Sequence, residues 1–247
     1  GGGADVRACF PVQTIVPPAS YIRVGRHNDG GYVMVDKFPM KGIAYSIGIA
    51  DDFSWDSAMT EKGFDVYMYD HTIDMVSTSN QHLHFSKSGL IGIYSPEKAF
   101  LKTLPMMLEE NGHLERYDIV LKIDIEGNEY EVFEHLDEDF LEHFSQIVIE
   151  FHALLDFKIK DKIVNATRKL NKNHQLVHVH ANNYKGYVSI NGMVLPDLLE
   201  CTYIRKGVCS FQNKECSFPM ELDEPNNMAL PEILLGNWNA GDKMQVM

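Results

Sequence analysis

Charged and polar side chains collect where the chain's apolar runs end. IVLKIDIEG (119–127) carries Lys122, Asp124 and Glu126 on alternate positions, SQIVIEFH (145–152) closes on Glu150 and His152, and HQLVHVHANN (174–183) closes on His178, His180, Asn182 and Asn183. DVYMYDHT (65–72) ends with Asp70 and His71. Every second residue of a strand shares a face, so Asp124 with Glu126, Glu150 with His152, and His178 with His180 are same-face pairs. Histidine titrates near neutral pH, which makes His152 and His180 the leading candidates for a general base. Lys122 joins them if burial depresses its pKa. Asp124, Glu150, His152 and His180 could alternatively gather one divalent metal, which would orient the acceptor and acidify its hydroxyl. Asp70 stands where an adenosine-bearing cofactor needs a carboxylate for its ribose hydroxyls; the alternative is a turn-forming aspartate. Asn182 and Asn183 either hydrogen-bond acceptor hydroxyls or make the turn.

Such side chains need a scaffold, and the hydrophobic periodicity supplies one. Strands are expected over 42–50, 64–73, 82–85, 118–125, 145–155, 174–182 and 198–206, and helices over 52–63, 95–112, 127–143 and 161–173. YKGYVSINGMVLPD (184–197) reads as a loop or hairpin. Alternating strands and helices imply an α/β fold, a mostly parallel sheet with helices on both faces. In such sheets ligands lie beyond the carboxyl ends of the strands, which is where the polar residues are. One domain is expected: an N-terminal extension (1–41), a core (42–206) and a C-terminal arm (207–247).

Composition narrows the partners. The chain has 247 residues and a formal net charge of −13, which opposes docking on nucleic acid or on an acidic bilayer. No apolar run reaches the ~18 residues of a membrane span. Small molecules or glycans are the expected partners. The loop SIGIADD has a single glycine, Gly48, and no GxGxxG, so a pyrophosphate-bearing dinucleotide is poorly served. Asp51, Asp52 and Ser54 either contact a cofactor or cap the next helix. Four cysteines are present, and Cys209 with Cys216 either close a short loop as a disulfide or stay free thiols in a reducing compartment; a bridge leans toward a secretory lumen over a cytoplasmic setting. EHLDEDFLEH (134–143) reads as a solvated helix face and ELDEPNNMALPEILLGNW (221–238) as an ordered arm with Pro-set turns; alternatively either borders the acceptor pocket, where Trp238 would suit the face of a sugar.

LKIDIEGNEYEVFEHL resembles the fourth-strand signature of the FkbM-type S-adenosylmethionine-dependent methyltransferases. RVGRHNDGGYVMVD (23–36), YSIGIADDFSWD (45–56), DVYMYDHTI (65–73), VHVHANN (177–183) and LPDLLECTYIRK (195–206) resemble further segments of that family in the same order. The resemblance implies the class I methyltransferase fold, a Rossmann-like three-layer sandwich whose seven-stranded, mostly parallel sheet has an antiparallel last strand. It also implies methyl transfer from S-adenosylmethionine to oxygen, often a sugar hydroxyl. By the same likeness the RHNDGGYVM hairpin would cover the cofactor site, with Asp29 or Arg26 reaching inward beside Gly30. Gly48, Asp51, Ser54, Asp70, His71, Asp124 and Glu126 would line the cofactor. The single glycine departs from the two or three that such enzymes usually carry in the first loop. Two other readings of the fold are a nicotinamide-dependent oxidoreductase and a glycan- or protein-binding domain without turnover.

Overall fold

In the computed structural model, which describes residues 2–238, seven strands build one sheet. In chain order they are β1 (Ile43–Ile47), β2 (Asp65–Tyr69), β3 (Leu83–Ser86), β4 (Ile119–Ile123), β5 (Phe144–Phe151), β6 (His174–Ala181) and β7 (Leu199–Arg205). Across the sheet they run β6-β7-β5-β4-β1-β2-β3. Neighbours from β5 to β3 are parallel, and β7 is antiparallel to both β5 and β6. The mixed α/β sheet with an antiparallel last strand is therefore as expected. β1, β4 and β5 are buried along their whole length, which explains their mostly apolar sequences. The strand order reverses between β1 and β4, so that junction is the switch point.

The two faces are covered differently. One packs Tyr45, Ile47, Leu121, Ile123, Ile147 and Ile149 against Val6 of α1 (Gly2–Ala8), Met107 of α3 (Leu104–Glu110), Phe133 of α4 (Glu129–His135) and Leu170 of α5 (Lys160–Asn173). The other packs Ala44, Val66, Met68, Val120 and Val148 against Trp55 and Met59 of α2 (Ser54–Glu61), and against Val24, Tyr32 and Met34 of an N-terminal hairpin, Tyr21–Val24 with Tyr32–Val35. Helices were expected on both faces; on the second a hairpin takes part of their place. A hairpin edge leaves backbone groups that a helix would satisfy internally. Here the sheet's own polar side chains satisfy them: Gln146 accepts from Val35 N (2.7 Å) and donates to Val35 O (3.2 Å), and Thr202 Oγ1 donates to Val33 O (2.6 Å).

Two expected helices come out shorter. Residues 95–112 are not one helix: a 3₁₀ turn (Pro96–Lys98) precedes the strand Leu101–Lys102, which pairs with Gly89–Leu90. α3 starts only where Thr103 caps it, accepting from Met106 N (3.2 Å). The expected helix over 127–143 ends at His135, and Asp137, accepting from Asp139 N (3.0 Å), opens a 3₁₀ turn, Glu138–His143, whose Leu141 is buried. The hairpin Tyr187–Ile190 with Met193–Pro196 is as expected. All four cysteines are free, so Cys209 and Cys216 are not bridged. Their segment is held instead by strand pairing, Thr14–Ile15 with Phe211–Gln212 and Ser217–Phe218 with Gly236–Asn237. Trp238 faces no pocket for sugar: it is buried, donates to Phe10 O (2.9 Å) and carries the Arg7 guanidinium 3.7 Å over its ring. No helix among the described residues is long and apolar enough to cross a membrane.

Candidate functional site

At the switch point the loop after β1 lies against the end of β4. Gly48 has φ +87°, and a Cβ there would stand 1.9 Å from the Asp124 carbonyl oxygen, so only glycine lets the two segments meet. Lys122 is buried on β4 and donates from Nζ to Gly48 O (3.3 Å), below the rings of Tyr32 and Trp55. Asp70, at the end of β2, ties the loop from the other side. Its Oδ2 accepts from Ile49 N (2.9 Å) and Ala50 N (2.8 Å), its Oδ1 from Thr72 N (2.8 Å) and Thr72 Oγ1 (2.6 Å). All four of its acceptor positions are filled. Burial alone would raise the Asp70 pKa, but the Thr72 hydroxyl and the three amide donors outweigh it and hold the carboxylate below its ordinary value.

The hairpin tip does meet this loop. Ser54 Oγ accepts from Arg26 N (3.0 Å), Arg26 Nε lies 3.3 Å from Asp52 Oδ2, and Asp52 Oδ1 accepts from Ser54 N (2.8 Å). A Cβ at Gly30 would fall 2.0 Å from Asp52 Oδ2. Asp29 is exposed and accepts from Asn226 of the C-terminal arm (2.9 Å). Asp51, His71 and Glu126 are exposed at the same edge, with the His71 ring 5.6 Å from that of Phe100.

Asp124, Glu150 and His152 converge beside Gly48, their ligating atoms all within 4.8 Å of one another. Tyr32 Oη donates to Asp124 Oδ2 (3.2 Å), and Asn182 Nδ2 donates to Glu150 Oε1 (2.7 Å). Glu129, wholly buried in the first turn of α4, accepts from the His152 backbone N (2.8 Å) and sits 3.2 Å from its Nδ1. That contact leaves Nε2 turned toward Glu150, 4.0 Å from Oε2. Burial, then the negative charges of Asp124 and Glu200, push the Glu150 pKa well above the carboxylate range. For His152 burial acts downward, and the hydrogen bond and charge of Glu129 outweigh it to raise the pKa.

His180, expected with this group, is not part of it. Its Nδ1 is 2.7 Å from Glu200 Oε1 and its Nε2 2.9 Å from Glu232 Oε1, so neither ring nitrogen is free to ligate or to take a proton. Although burial opposes its charge, the two carboxylates push its pKa up to about 10, so it is an imidazolium at neutral pH. His178 is likewise enclosed, 3.0 Å from Asp223 Oδ1. Asn183 is spent on the arm, donating to the carbonyls of Asn227 (3.0 Å), Leu230 (3.3 Å) and Pro231 (3.0 Å) and accepting from Asn227 N (2.7 Å).

Sequence reasoning did not single out Tyr32, Glu129, Glu200, Asp223 or Glu232. Glu200 had a signal: a carboxylate inside the apolar strand LLECTYI, in register with Glu150 on one side and His180 on the other. Glu129 had none, since an acid in a first helical turn ordinarily serves the helix dipole.

A parallel sheet with its antiparallel last strand and a carboxylate–imidazole cluster at the switch point define a methyltransferase-like class of protein. The sequence model of the methyltransferase FkbM domain matches residues 46–192, more than half of the chain. The chain belongs to the FkbM methyltransferase family, as its motifs implied. A search among curated proteins finds no significant match.

Proposed function

We propose that the protein is an S-adenosylmethionine-dependent O-methyltransferase that acts on a hydroxyl of a sugar or glycan. The observation that carries this reading is the convergence of Asp124, Glu150 and His152 beside the first loop of an FkbM domain. The strand order supports the class I, Rossmann-like form of the fold.

The residues of the cofactor edge fit S-adenosylmethionine on one condition. Asp70 is held ionised where a ribose diol would approach, and of its four donors only the Thr72 hydroxyl can rotate away to free an acceptor position. Asp51, Glu126 and Asp124 add negative charge at the same edge, which suits a sulfonium and repels a pyrophosphate. When bound, the cofactor supplies an electrophilic methyl group. The protein's task is then to align an acceptor oxygen, exclude water and remove one proton. Gly48 and Lys122 fix the first loop, the Arg26 and Gly30 tip closes over it, and the Asp124–Glu150–His152 cluster receives the hydroxyl and handles its proton. Tyr184 and Tyr187, 55% and 56% exposed just beyond Asn182, offer ring faces of the kind that pack on pyranoses.

Calorimetric titration with S-adenosylhomocysteine tests the cofactor half, with micromolar binding expected for wild type and loss expected in Asp70→Ala. Transfer of labelled methyl to pooled glycans tests the acceptor half. A folded wild type that binds neither S-adenosylmethionine nor S-adenosylhomocysteine would sink the reading.

A further inference from the structure

Each of the three converging groups is held from behind by another residue, so that its remaining lone pairs face the other two. Tyr32 takes one oxygen of Asp124, Asn182 takes Oε1 of Glu150, and Glu129 takes Nδ1 of His152. What is left over is an oxygen of Asp124, Oε2 of Glu150 and Nε2 of His152, the last two 4.0 Å apart, and the three residues bring ligating atoms within 4.8 Å of one another. Two carboxyl groups and an imidazole nitrogen converging in this way form a donor set for a cation, and the nearby side-chain cations are occupied. Lys122 Nζ donates to Gly48 O, and His180 is enclosed by Glu200 and Glu232.

From this arrangement we propose that Asp124, Glu150 and His152 bind one divalent first-row metal ion, with Tyr32, Asn182 and Glu129 fixing the ligands' orientation. Two hard oxygens and one imidazole nitrogen suit Mn²⁺ or a similar ion; calcium would collect more oxygens, and there is no thiolate in the set. An imidazole whose far nitrogen is held by a buried carboxylate is the usual arrangement of a metal-bound histidine. Three protein ligands leave coordination positions open. For its role in the reaction, though not for its existence, the site rests on the function proposed above: the acceptor hydroxyl takes an open position and its acidified proton passes to water. His152 is then a ligand, not the proton acceptor.

The probe is Mn²⁺ added to full-length protein that has been stripped with chelator and shown to be folded. Electron paramagnetic resonance is expected to count one bound ion per chain, and electron spin-echo modulation to show coupling to a single imidazole nitrogen. Glu150→Gln and His152→Gln should each weaken binding by more than about 100-fold, and Glu129→Gln by about 10–100-fold. Asp65→Asn, which removes the exposed carboxylate between His82 and His84, should change nothing. No binding to wild type, coupling to no nitrogen or to two, or binding lost in Asp65→Asn instead of Glu150→Gln would each overturn the proposal. The spin-echo result on wild type decides even if a variant misfolds. Titration with S-adenosylhomocysteine in chelator runs separately, so failure there sinks the methyltransferase reading and leaves the metal site standing.

Discussion

The carboxyl ends of β4 and β5, and the carboxyl end of β6 with the amino end of the antiparallel β7 beside it, carry nearly the same residue types, yet they end with opposite chemical capacity. Around Asp124 and Glu150, the imidazole of His152 keeps one nitrogen unspent and turned toward the carboxylates. Around Glu200, His180 has both ring nitrogens on carboxylates, and His178 is buried with its Nε2 on Asp223. The difference is made by the C-terminal arm, which contributes Asp223 and Glu232 to one end of the edge. A Glu-x-His or His-x-His pair at a strand end is therefore chemistry only if no later segment comes back to neutralise it. The teaching is that partner supply, not residue type, separates a reactive end from a structural one.

The largest effect that would sharpen this contrast is on turnover. His152→Gln should lower methyl transfer by about 10²–10⁴-fold, whereas His180→Gln, measured per folded molecule, should stay within a few-fold. Equal losses in the two variants would break the comparison. Next comes stability, where the order reverses. His180→Gln leaves the buried Glu200 and the half-buried Glu232 without their cation and should cost about 3–5 kcal/mol in urea denaturation. Its pH dependence follows from a folded pKa raised from 6.5 to about 10. The stabilisation is complete below the unfolded value and fades as pH rises from 6.5 toward 10, with a slope of at most about 1.4 kcal/mol per pH unit. Urea midpoints of wild type should fall across that window, and those of His180→Gln should lack that component. Asp70→Asn presents an amide donor to loop N–H groups and should cost about 1–3 kcal/mol while weakening S-adenosylhomocysteine binding by calorimetry. The smallest effect is local: Asn183→Ala frees the carbonyls of Asn227, Leu230 and Pro231, and hydrogen exchange over 227–231 should quicken with a global loss of about 1 kcal/mol.

Much of the architecture could be read from the chain alone. β1, β4 and β5 announce themselves because burial on both faces demands mostly apolar runs, and the runs of β4 and β5 end where Asp124, Glu150 and His152 emerge. Other features depend on distant residues. The hairpin can replace a helix layer only because Gln146 and Thr202 reach out from the sheet to satisfy its backbone, which no local pattern in RVGRHNDGGYVMVD records. α3 begins at Thr103 and not at Ser95 because Leu101–Lys102 is drawn into pairing with Gly89–Leu90. His180 looked like a base because Glu232 lies 52 residues downstream in a stretch that reads as a polar arm. Trp238 looked like a sugar platform for the same kind of reason, since its partners Arg7 and Phe10 lie at the other end of the described chain.

The arm's contacts also fix an order of assembly. Asn28 N meets Glu224 across 196 residues, and Asp29 meets Asn226 across 197, so neither link can reward the chain until the hairpin is docked and β6 and β7 are paired. These bonds should form after the rate-limiting step of folding, which makes them a hold on unfolding and not an aid to folding. Weakening the arm shortens the lifetime of the finished protein while leaving its speed of formation nearly unchanged.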